Sequence, residues 1–64
     1  MIKTEEEYRR TKEYVDRLEA ILLEARRNTA ATEYELMSRS FVRSIAKAQR
    51  DMTMYLAGPI TEPV

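Results

Sequence analysis

Sixty-four residues form at most one domain, and a chain this short buries a smaller share of its surface than a longer one does. It contains no Cys and no His, which excludes disulfides and the common zinc sites as ways of holding a small fold together. Eleven Lys and Arg balance eleven Asp and Glu, so total charge exerts no general pull toward nucleic acid or an anionic membrane.

The first predicted element is a helix over about 4–27. Thr4 and Glu7 have the spacing of a capping box, in which the hydroxyl takes the N3 amide and the carboxylate reaches back to the cap amide. Glu5 and Glu6 add negative charge where the helix dipole is positive. Tyr8, Val15 and Leu22 recur every seventh residue, interleaved with Thr11, Leu18 and Ala25, and together they draw one apolar stripe. Arg26 and Arg27 suit the last turn, and Asn28 suits a left-handed terminating position. Glu5 with Arg9, Glu6 with Arg10, and the run Arg9, Glu13, Arg17 have the four-residue spacing of a salt-bridged, solvated face.

Asn28 to Thr32 reads as a short connection. Thr32 and Glu35 repeat the capping-box spacing, which predicts a second helix over 33–57. Gly58-Pro59 reads as its stop, with Gly in the left-handed conformation. Tyr34, Phe41, Ala48 and Tyr55 form its seven-residue series, with Met37, Ile45 and Met52 alongside. Met37, Met52 and Met54 read as ordinary core filler rather than an adaptable binding surface. Helices joined by so few residues run antiparallel, giving an all-α two-helix hairpin over 1–58. If the turn centres near Ala30, residues that face each other have numbers adding to about 60. Leu22 then meets Met37, Leu18 meets Phe41, Val15 meets Ile45 and Tyr8 meets Met52. The remainder, 59–64, reads as a flexible C-terminal tail.

Several large apolar residues find no place in this pairing. Tyr14 and Ile21 flank the first stripe, Leu36, Val42 and Leu56 lie beside the second, and Leu23 faces elsewhere. Apolar surface of this kind marks an interface, and these five flanking residues are the candidate contact set. A homodimer forming a four-helix bundle is the simplest closure, because two-fold pairing uses one patch twice.

Catalysis has little to draw on. The usual general base and the most reactive nucleophile are missing, Gly58 is the only glycine, and Glu-x-x-His pairs for a di-metal site are absent. The expectation is a non-enzymatic protein with no cofactor, no metal and no small-molecule substrate. The longest apolar run, Ala20-Ile21-Leu22-Leu23, is far short of the roughly 20 residues that cross a bilayer. Met1 to Glu7 lacks the basic-then-apolar pattern of a secretory signal, so a soluble cytoplasmic protein is expected.

One polar pattern stands out. Arg39, Arg43, Lys47 and Arg50 line one side of the second helix, where residues 36 to 57 carry these four cations against Asp51 alone, a net of +3. Residues 1 to 25 carry seven acids against five bases, a net of −2. The stripe either faces the acidic first helix, within the hairpin or across a dimer, or contacts nucleic acid or an acidic partner. A DNA-reading unit would need a third helix and a short turn that this sequence lacks.

The start Ile2-Lys3-Thr4-Glu5-Glu6-Glu7-Tyr8-Arg9-Arg10-Thr11-Lys12 resembles the helical hairpin that precedes the helix-turn-helix in HigA-type antitoxins and related small bacterial regulators. Ile2, Thr4, Glu5 and Tyr8 match its Ile-x-Thr-Glu start and acidic, Tyr-containing first helix. Tyr55 and Pro59-Ile60 match its end loosely, and the residues between carry no specific match. The sequence stops where that family's DNA-binding domain would begin. The resemblance therefore implies dimerisation or toxin contact without operator binding.

Overall fold

A computed structural model, which describes residues 1–58, contains two helices and no strand among those residues. Helix α1 runs Glu5–Asn28 and helix α2 runs Ala31–Ala57, packed against each other as an all-α hairpin. The radius of gyration is 14.9 Å, against about 11 Å for a compact chain of this length, so the hairpin is a rod. Neither helix is long and apolar enough to cross a membrane. The tail expected at 59–64 lies outside the described residues.

Helix α1 begins as its sequence dictates. Thr4 is extended (φ −130°, ψ 161°), and its Oγ1 accepts the Glu7 N–H at 3.1 Å. The reciprocal half of the box is displaced by one residue, since the Glu7 carboxylate accepts the Lys3 N–H at 2.9 Å instead of the Thr4 amide. The helix ends differently from expectation. No residue in the described chain has positive φ, and Asn28 stays helical. Its Nδ2 donates to the Glu24 carbonyl at 3.0 Å and to the Glu24 carboxylate at 3.1 Å. The side chain thus satisfies a terminal carbonyl that a left-handed turn would otherwise have satisfied through the backbone.

The connection is only Thr29 and Ala30, both extended. Helix α2 starts two residues before the position predicted from Thr32 and Glu35, and Ala30 occupies its cap with no side-chain acceptor. Ala is the strongest helix former, and the earlier start adds the Tyr34 N–H to Ala30 carbonyl bond at 2.8 Å. Thr32 consequently falls inside the first turn and caps nothing. At the far end Gly58 has φ −71° and ψ 167°, not the left-handed angles predicted. Its N–H closes a last helical bond to the Met54 carbonyl at 3.0 Å. Pro59 follows, and a residue before proline is confined to the extended region.

Both predicted stripes point inward. Every member of Tyr8, Thr11, Val15, Leu18, Leu22 and Ala25 is buried or half-buried, as is every member of Tyr34, Met37, Phe41, Ile45, Ala48, Met52 and Tyr55. At the loop end the Arg26 guanidinium lies 5.2 Å from the centre of the Tyr34 ring, in the register expected. At the open end the ring facing Tyr8 belongs to Tyr55, with centroids 5.7 Å apart, nearly one turn beyond Met52. The enclosed core is small. Among the described residues only Val15, Leu22 and Ala48 are buried apolar residues, with Ser38 also buried, and no large side chain there is completely enclosed.

Candidate functional site

A two-helix hairpin has two broad faces, and α-helical geometry decides which residue lies on which. Each residue advances about 100°, so positions seven or eleven apart return to nearly the same side. Tyr14 lines one shallow depression together with Ser44, Lys47 and Asp51. Ile21 follows Tyr14 by seven, Leu36 precedes Lys47 by eleven, and Met54 follows it by seven, so all three belong to this first face. Arg26 lines a second depression with Ala31, Tyr34 and Glu35. Val42 and Leu56 recur from Glu35 at multiples of seven, and Leu23 sits three before Arg26, which places them on the opposite face.

All five candidate contact residues are exposed: Tyr14 by 44%, Ile21 by 43%, Leu36 by 70%, Val42 by 53% and Leu56 by 66%. They do not form one patch. Tyr14, Ile21 and Leu36 share the first face, and Val42 and Leu56 share the second. Leu36 and Val42 are six residues apart, which separates them by about 120° around α2. Leu23, at 61%, and Met54, at 58%, are exposed as well, so Met54 is not the core filler its spacing suggested. Its seven-residue distance from the exposed Lys47 was the available signal.

The basic stripe is on the outer edge of α2, adjoining the first face. Arg39, Arg43, Lys47 and Arg50 are all exposed. Lys47 reaches Asp51 at 3.7 Å, and the other ion pairs among the described residues are Glu5–Arg9, Glu6–Arg10 and Glu24–Arg27. Each joins residues of one helix. Among the described residues the stripe therefore makes no ion pair with the acidic first helix inside the hairpin. Arg9 turns back to Glu5 at 2.6 Å instead of forward to Glu13. These pairs are solvated and contribute a few tenths of a kcal/mol each.

The N-terminal residues form a further element that sequence reasoning left out. Met1, Ile2 and Lys3 border a depression completed by Asp51, Met54, Tyr55 and Gly58. Ile2 is half-buried there, whereas Met1 is exposed. Nothing in the heptad pattern signals this, since residues before the cap have no helical period. No family model, no curated protein and no solved structure matches the chain.

Proposed function

We propose that this chain is a small non-enzymatic interaction module, a helical hairpin that self-associates as a homodimer and so completes a four-helix bundle. Its work is partner binding through helix faces, as a small bacterial regulator or antitoxin-like protein would do in the cytoplasm. One observation carries the reading. The hairpin encloses only Val15, Leu22 and Ala48 among its apolar residues, while Tyr14, Ile21, Leu23, Leu36, Val42 and Leu56 are all exposed. Burying a Leu, Ile or Val contributes roughly 1.5–3 kcal/mol, so much of the available stabilisation stays in water until another chain covers it. Light scattering across a dilution series, with helicity followed in parallel, tests it. The expected mass is that of two chains, falling together with helix content on dilution. A fully helical monomer at every concentration overturns the proposal.

A second reading rests on the stripe. Arg39, Arg43 and Arg50 are exposed and form no ion pair among the described residues, which leaves them available to phosphates or an acidic partner. Duplex binding through four such contacts would weaken with salt at a log–log slope of about −3 to −4. It would vanish in the Arg39→Glu/Arg43→Glu double variant. A dimer indifferent to that double change, without measurable duplex binding, leaves the first reading alone.

A further inference from the structure

We infer, building on the self-association proposed above, that the second face is the dimer surface and that its occupant is another copy of this chain laid antiparallel across a two-fold axis. Helix α2 then lies along α2 of the partner, and α1 along α1.

The two faces of α2 carry stripes of identical spacing and opposite character. On the first face the stripe is Leu36, Ser40, Arg43, Lys47, Arg50 and Met54. On the second the exposed residues are Val42, Gln49 and Leu56, and between them Ile45 and Met52 are half-buried against α1 and Ser38 is buried. Both alternate four and three, the spacing of a helix–helix seam. Folding the first stripe onto its own copy sets Arg43 against Lys47 of the partner subunit, twice, at the centre. Like charges so placed oppose association. The second stripe contains no charge. Centred midway between residues 43 and 44, it sets Val42 against the exposed edge of Ile45 of the partner subunit, with Leu56 opposite Ala31 of the partner subunit and Met52 opposite Glu35 of the partner subunit.

Helix α1 supplies the axis that fixes this register. Its second face carries Glu5, Lys12, Glu19 and Arg26 at seven-residue intervals, with charges alternating minus, plus, minus, plus. Laid antiparallel on its own copy, this series sets Lys12 against Glu19 of the partner subunit and Glu5 against Arg26 of the partner subunit, each twice. Its centre falls between residues 15 and 16. Residues level with each other in the hairpin have numbers adding to about 60, as Arg26 over Tyr34 does, so the two centres lie at one height. A single two-fold axis therefore gives Val42 an apolar partner at the centre of one helix and pairs the charge series of the other. Lys12 and Glu19 are exposed and enter no ion pair among the described residues.

The area suffices. Helix α1 has 24 residues, hence about 36 Å of length, and two helices side by side are about 20 Å across. The face then buries roughly 700 Å² per copy, close to the roughly 800 Å² per partner of a standard stable interface.

The test is a charge-reversal cycle on the full chain, read by sedimentation equilibrium with helicity as the folding control. Lys12→Glu and Glu19→Lys should each weaken the dimer about tenfold at low salt, and the double variant should restore it. Spin labels at Leu56→Cys should lie about 40 Å apart in the dimer, whereas a parallel arrangement would bring them within about 15 Å. A dimer unmoved by either reversal but dissociated by Ile21→Glu or Leu36→Glu overturns this assignment of the face and leaves self-association standing. A wild-type chain that stays monomeric and helical removes self-association itself.

Discussion

At the open end of the hairpin, α1 starts on the Thr4 hydroxyl, with Glu5, Glu6 and Glu7 in its first turn. At the loop end α2 starts on Ala30, which offers no side-chain acceptor, with only Glu33 as an acid in the first turn. The open end also stacks Tyr8 on Tyr55, while the loop end sets Arg26 over Tyr34. The difference follows from chain connectivity. Thr29 and Ala30 tether α2 to a helix already formed, so its first turn is held in place by the short link. No described helix is linked ahead of α1, and its first turn depends on caps and ring contacts to resist fraying.

Five substitutions sharpen or break this contrast. The largest effect belongs to neither end's capping. Leu22 is one of three enclosed apolar residues, and Leu22→Ala should lower the unfolding free energy by about 2–3 kcal/mol in denaturant titration. A loss under 1 kcal/mol would mean that the core is not seated there. Next come the two caps. Thr4→Ala should destabilise by about 1 kcal/mol, and Ala30→Asp should stabilise by a similar amount, because Ala30 already holds the extended angles of a cap. If Ala30→Asp gives nothing, the link already does all that a cap would do. Tyr8→Leu keeps the apolar bulk but removes the ring pair, and a loss of roughly 0.5–1.5 kcal/mol is expected in thermal unfolding. Smallest is Gly58→Ala. With φ at −71° there is no left-handed penalty, and although the new Cβ presses on the Met54 carbonyl oxygen at 3.2 Å, a shift of a few tenths of an ångström in the terminal turn relieves it, so stability should move by less than about 0.5 kcal/mol. A loss near 1 kcal/mol or more would restore the left-handed end that Gly58-Pro59 suggested.

Periodicity carried most of what was legible in advance. The thirteen stripe residues of the two helices, Tyr8 through Ala25 and Tyr34 through Tyr55, all turn inward, because burial repeats at helical spacing and leaves a long signal. The helix ends were less legible. Asn28, Thr32 and Gly58 were each assigned a terminating or capping role from residue type, but side-chain reach and the following proline decide such positions locally. The buried Ser38 and half-buried Ser44 escaped notice because small polar residues do not register in an apolar pattern. Grouping Leu36 with Val42 and Leu56 treated two flanks of α2 as one, and only the depressions shared with α1 tell them apart. The exposed cations of α2 were found by their spacing, but their direction depended on which flank α1 covers.

Across the described chain every residue keeps a negative φ, and the single glycine there is no exception. No described position demands a left-handed backbone. Apart from proline, and apart from the close approach at Gly58, any amino acid can therefore enter a described site without changing the region of its φ. An exhaustive substitution scan of this hairpin would map side-chain contacts directly, and the positions intolerant of change would trace the surfaces that touch another helix, whether from the same molecule or the next.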